Sequence, residues 1–161
     1  MKDFVLVSLS DDIRIKTSQI VANNLGKIFL DIDALIDYEI IDSKKTIETI
    51  GQKYYDNLET DIIKGTNDYC NSLKTISAKV FLKNENYKLF ENQEFVFLDM
   101  PQEEIKKENQ ELSFDRRIEK ENTLAVFDEV RKQLMKLAKI TVYINNNTEE
   151  NVNNILEFLQ E

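Results

Sequence analysis

Phe4-Val5-Leu6-Val7-Ser8-Leu9 runs apolar along its length with almost no alternation. A strand with one face in water alternates in polarity, whereas a continuous apolar run suits a strand covered on both faces, as in a parallel sheet between helices. The sequence that follows has helical spacing, with Ile13, Thr17, Ile20, Val21, Asn24 and Leu25 on one side and Gly26 placed as a C-terminal cap. Lys27 to Asp31 then reads as a second buried strand. This βαβ-like opening sets the class: strands joined by crossover helices, with ligands at the carboxyl ends of the strands.

The rest of the chain continues the pattern. From Ala34 to Leu73 the periodicity is helical, carried by Ile47, Ile50, Tyr54, Leu58 and Ile62. It breaks around Ile41-Asp42-Ser43, where Ser43 reads as the cap of the next helix. Further strands are expected at Ile76 to Leu82, Phe95 to Leu98 and Ile140 to Ile144. Pro101, the sole proline, follows the fourth strand at a position suited to the first turn of a helix. Asn147-Thr148-Glu149-Glu150 offers a capping box ahead of Val152, Ile155, Leu156 and Leu159. The expectation is one α/β domain over residues 1–161, with a five-stranded parallel sheet and helices on both faces. The polar stretch 106–122 is read as a lid-like flap.

Composition removes whole classes of chemistry. The chain has no histidine and one cysteine, Cys70, which leaves no Ser-His-Asp or Cys-His nucleophile, no histidine-based zinc site and no intrachain disulfide. A net charge of -9 argues against nucleic acid and against an anionic membrane surface as partners. The opening Met1-Lys2-Asp3-Phe4 leads straight into a strand, and no apolar run approaches a membrane span, so a cytoplasmic location is expected.

Several stretches together resemble the shikimate kinases. Leu25 to Asp37 is similar to the family stretch LGxxFxDxDxxIE, Tyr55 to Glu59 follows at family spacing, and Val96-Phe97-Leu98-Asp99-Met100-Pro101 is similar to the family's VxLDxP strand end. The resemblance covers nearly the whole chain. It implies the P-loop nucleoside-triphosphate-hydrolase-like three-layer fold, with Asp31 helping to place magnesium, Asp33 holding substrate hydroxyls and Asp99 as a Walker B-like acid. Asp31 and Asp99 also have plain readings, as a helix cap and a turn residue.

The departures fall on the positions that hold ligands in that family. A glycine-rich loop, GxxxxGK[ST], normally follows the first strand, because glycine lets backbone amides close around phosphates. Here the first glycine is Gly26. Aligned without gaps from the Asp-x-Asp stretch, the loop positions become Ser8, Ile13, Arg14 and Ile15. A shift of two gives Ser10, Ile15, Lys16 and Thr17. In both registers Asp11 and Asp12 stand where polyphosphate charge would rest, and one such contact at about 4 Å repels by roughly 4 kcal/mol at an effective dielectric near 20.

On the acceptor side, Tyr55-Asp56-Asn57-Leu58-Glu59 matches the family's FRxxE with Asp56 in place of the arginine that grips the substrate carboxylate. A family GGG segment appears as Ser77-Ala78-Lys79. Arg116-Arg117 sits near the family's lid arginine, and Arg131 near another carboxylate-binding arginine. The candidate residues are therefore Asp33, Asp56, Glu59, Lys79 and Arg131 for a substrate pocket. For a nucleotide site they are Arg14, Lys16, Thr17, Arg116 and Arg117, with Asp31 for a metal.

Three functions stand open on the sequence. The first is a non-catalytic binding or regulatory module on a shikimate kinase-like fold. The second is an active kinase for shikimate or another small alcohol, using ATP and magnesium through an atypical phosphate loop. The third is a subunit whose altered face binds a protein partner.

Overall fold

A computed structural model describes residues 2–82, 86–110 and 127–160. The order of elements is β1 (Phe4–Ser8), α1 (Asp11–Asn24), β2 (Ile28–Asp31), α2 (Ile32–Glu39), α3 (Ser43–Ile50), α4 (Gln52–Gly65), β3 (Ser72–Ser77), β4 (Glu94–Asp99), α5 (Gln102–Gln110), α6 (Phe127–Leu137), β5 (Ile140–Tyr143) and α7 (Thr148–Leu159). The strands form one five-stranded sheet in the order β2-β3-β1-β4-β5. Each neighbouring pair is parallel.

The opening apolar run explains the centre of this sheet. Every residue of β1 is buried, and since successive side chains point to opposite faces, both faces are covered. Val5, Leu6, Val7, Ile76, Phe97 and Leu98 are each no more than 1% exposed and form the middle of the core. β1 and β3 lie side by side, yet the chain leaves β1 toward β2 and leaves β3 toward β4. Their carboxyl ends therefore flank a topological switch point, the place where such sheets bind ligands.

Several local expectations shift. The third strand is Ser72–Ser77 rather than 76–82, and Ala78–Leu82 forms 3₁₀ turns. The helical stretch from Ala34 is three helices ending at Gly65 plus a 3₁₀ turn at Thr66–Asp68, so Leu73 belongs to β3. The cause lies in β3 itself, which buries Ser72, Lys74, Thr75 and Ser77 and so lacks the apolar signature of a central strand. The cap of α3 is Asp42, whose side chain accepts from Lys45 N at 2.9 Å, one residue before the expected Ser43. The box before α7 is half made. Asn147 Oδ1 accepts from Glu150 N at 3.2 Å, while the Glu150 carboxylate accepts from Asn145 Nδ2 at 3.0 Å. Of the stretch expected as a flap, residues 106–110 close α5, and 111–122 lie outside the described residues.

The end of α1 follows expectation. Gly26 N donates to Asn23 O at 3.2 Å and Lys27 N to Ala22 O at 2.9 Å, the paired bonds of a Schellman cap, with Gly26 at φ 62°. An added Cβ there meets nothing within 4 Å, so a substitution is charged only for the backbone conformation. Gly26→Ala is expected to lower stability by about 1 kcal/mol. A urea unfolding midpoint equal to the parent's would contradict that.

Candidate functional site

The switch point is built from the first turns of two helices and the end of β3. β1 ends at Ser8 and α1 begins at Asp11, so the connection is Leu9 and Ser10 alone. Ser10 is the N-cap residue, with no side-chain cap bond and its Oγ buried without a partner among the described residues. Asp11 and Asp12 occupy the first turn, where carboxylates complement the helix dipole.

The face that α1 turns inward is Arg14, Thr17, Ser18, Val21 and Ala22. This spacing of three and four is a regular helical stripe, but its first half is polar. It differs from the expected face, since Ile20 is 41% exposed. Arg14, one turn into α1, is 1% exposed. Its Nη1 donates to Thr75 Oγ1 at 3.0 Å. Its Nη2 lies 3.2 Å from Asp11 Oδ1 and 3.0 Å from Asp33 Oδ2. Nε is buried and has no hydrogen-bond partner among the described residues.

The partners of Arg14 are themselves fixed. Thr75 Oγ1 donates to Leu6 O at 3.0 Å, tying β3 to β1. Asp33 Oδ2 accepts from Ser77 N at 2.7 Å, tying the start of α2 to the end of β3. A single guanidinium thus joins α1, α2 and β3 beneath the carboxyl ends of the strands. Charge-assisted bonds of this kind are about twice as strong as neutral ones, and burial keeps them from being screened.

The other candidates separate into groups. Asp31 caps α2, accepting from Ala34 N at 3.3 Å. Lys16 is exposed on α1, and Thr17 is buried with Oγ1 unpartnered. Asp56 and Glu59 lie on α4, which packs against α2; Asp56 accepts from Gln52 Nε2 at 2.8 Å, and Glu59 is buried. Lys79 falls in the 3₁₀ segment after β3, and its side chain lies outside the described part of the structure. Arg116 and Arg117 lie outside the described residues.

Arg131, on α6, forms a two-pronged pair with Asp99 at the end of β4. Nε is 3.1 and 3.0 Å from the two carboxylate oxygens, and Nη2 is 2.8 Å from Oδ2. The hydrogen bonds to Asp99, with its charge, raise the guanidinium pKa above its already high ordinary value. Asp99 and Arg131 thus satisfy each other.

Two partners of the central cluster escape a reading by sequence. Thr75 sits in a strand whose position the apolar pattern misplaces. Asp11 reads as a source of repulsion, although its spacing of three from Arg14 on a helix is a signal for the pair observed.

Comparison with known proteins agrees with this architecture. The sequence profile described as "Shikimate kinase" matches residues 15–160, starting one residue past Arg14. No curated protein matches the chain at a significant level. Among solved structures, shikimate kinase from Bacteroides thetaiotaomicron superposes with a TM-score of 0.80 at 14% identity, covering 99% of each chain. Shikimate kinase from Aquifex aeolicus gives 0.79 at 20% identity, covering 98% of this chain and 96% of that one. Shikimate kinase from Acinetobacter baumannii, in complex with shikimate, gives 0.78 at 16%, covering 99% and 93%. These likenesses carry the fold, a five-stranded parallel sheet of the P-loop kinase type, and the profile match carries the family. The chain belongs to the shikimate kinase family.

Proposed function

We propose that this protein is a non-catalytic member of its family, a binding or regulatory module that keeps the kinase fold without transferring phosphate. The observation that carries this reading is the connection of β1 to α1. A phosphate loop needs a run of roughly eight residues whose amides curl around the anion, with glycines at the tight positions. Here Leu9 and Ser10 make the whole connection, and the helix starts at Asp11 with two carboxylates in its first turn.

Three more features support it. Arg14, the basic residue in the ungapped register, is engaged by Asp33, Asp11 and Thr75. Asp31 is engaged as a helix cap, and Asp99 by Arg131. With Arg14, Asp31 and Asp99 engaged in this way, these residues do not fit a magnesium–nucleotide complex. On the acceptor side, Asp56 in the place of an arginine opposes the binding of a carboxylate. The natural ligand in this reading is a small molecule or a protein rather than a nucleic acid. The cytoplasm is the compartment we assign, in keeping with a single cysteine; among the described residues no helix is long and apolar enough to cross a membrane.

The test is thermal. A nucleotide present at 100 times its dissociation constant adds about 2.7 kcal/mol, which raises Tm by roughly 5–11 °C in a domain of this size. With 1 mM ATP and magnesium the expected shift is below about 1 °C, the size of effect left when a ligand stands well under its dissociation constant. A shift of several degrees together with phosphorylated shikimate would overturn the proposal.

A further inference from the structure

We propose that Arg14 is an internal ligand: its guanidinium fills, in cis, a seat that accepts a small amidinium cation once the side chain is removed. The seat is Asp33, Asp11 and Thr75. It serves the two terminal nitrogens of Arg14, at 3.0 and 3.2 Å from the carboxylates and 3.0 Å from the hydroxyl, and gives Nε nothing. The inference concerns this seat alone and does not depend on whether the chain transfers phosphate.

Three observations give the seat the character of a binding site rather than a surface ion pair. Arg14 is 1% exposed, so the head group is enclosed as a bound ligand would be. Two of the three acceptors are held by the scaffold: Asp33 Oδ2 accepts from Ser77 N at 2.7 Å, and Thr75 Oγ1 donates to Leu6 O at 3.0 Å. A preorganised set of acceptors loses little freedom when a ligand arrives. The seat also lies just beneath the carboxyl ends of β1 and β3, with Thr75 two residues before the end of β3, and doubly wound sheets place ligands at those ends.

The unpartnered Nε sharpens the ligand class. A buried donor without an acceptor is costly, and guanidinium always brings a third nitrogen into the seat. Acetamidinium carries two NH₂ groups on a planar carbon, and a methyl group where Nε stands. It keeps every bond that Arg14 makes and drops the donor that has no acceptor. Methylammonium has the charge without the planar pair of nitrogens. The order of affinity for the vacated seat is therefore acetamidinium, then guanidinium at least about fivefold weaker, then methylammonium. The resident Arg14 holds this space closed to external cations.

The experiment uses the full chain carrying Arg14→Ala, with Arg14→Ala/Asp33→Asn as its control. Acetamidinium at ten times its dissociation constant is expected to raise the Tm of Arg14→Ala by roughly 3–6 °C. The parent, whose seat is filled, is expected not to respond, and the double variant to respond little. Should Arg14→Ala fail to fold unaided, recovery of folded protein on refolding with acetamidinium is read instead, against the double variant. The proposal is overturned by no shift and no recovery, by an equal response in the double variant, or by methylammonium acting as well as acetamidinium.

Discussion

Asp33→Ala is expected to lower the stability of the folded chain by about 3 kcal/mol, the low end for breaking a buried ion pair by removing one partner. The residue left behind decides the size of the effect. Arg14 is 1% exposed and cannot turn to water, and among the described residues only the carboxylate of Asp11, itself 39% exposed, remains beside it. Ser77 N also loses the acceptor it had at 2.7 Å. Asp33 is itself 19% exposed, so solvent reaches one side of the pair and holds the loss below the upper range. In a domain of this size the change lowers Tm by roughly 6–12 °C. Asp33→Asn keeps an acceptor for Ser77 N and removes the charge, so its expected loss is about half as large. A loss under about 1 kcal/mol for the alanine variant, measured by urea unfolding, would show that the pair contributes no more than one on the surface.

Lys74→Met is expected to act in the opposite direction and to stabilise the chain by about 2 kcal/mol at pH 7. Lys74 lies mid-strand in β3, between Val5 and Leu30 on the neighbouring strands, and is 1% exposed. Its ammonium reaches Asn67 Oδ1 at 3.5 Å, the outer limit of a hydrogen bond, and that oxygen already accepts from Gln93 Nε2 at 2.8 Å. Loss of hydration lowers the Lys74 pKa from 10.5, against the smaller opposing influence of Asp3 and Cys70. Methionine has a similar length and no charge to desolvate.

The pH dependence has a definite sign. With the folded pKa below the unfolded one, the unfolded chain holds its proton more tightly. The destabilisation by Lys74 is complete below the folded pKa. It fades as pH rises toward 10.5, where the unfolded chain also loses the proton. The gap between parent and Lys74→Met is thus expected to narrow from pH 7 to pH 10. A gap that is constant, or that widens with pH, would place the origin in packing instead of charge.

What the sequence revealed and what it hid follow from one physical distinction. Where burial is met by apolar side chains, the pattern was plain: β1, β4 and β5 lie within a residue or so of their apolar runs. Where burial is met by polar groups that bond one another, it was not. From the sequence β3 reads as 76–82, because Ser72, Lys74, Thr75 and Ser77 do not look like interior residues, although Ser72 Oγ donates to Tyr69 O at 2.9 Å and Thr75 Oγ1 to Leu6 O at 3.0 Å. The inward stripe of α1 hides for a related reason: Arg14 and Ser18 are polar and yet buried. The family was legible from the motifs around Asp31, Asp33 and Asp99. The bonds those acids make were not, because a motif names a residue without naming its neighbour. Arg131 shows the point: a position associated with a free carboxylate is directed at Asp99 instead.

Under the non-catalytic reading proposed above, the short step from Ser8 to Asp11 sets the terms on which a phosphate loop could be built into this fold. Room for a loop would have to come from unwinding the first turn of α1, and that turn carries Arg14. An anion cradle at the end of β1 and a guanidinium lodged between Asp33 and Thr75 are therefore mutually exclusive uses of one space. On that reading, adding glycines alone leaves the competitor in place, so a designed phosphate site in this chain requires evicting Arg14 as well as lengthening the loop.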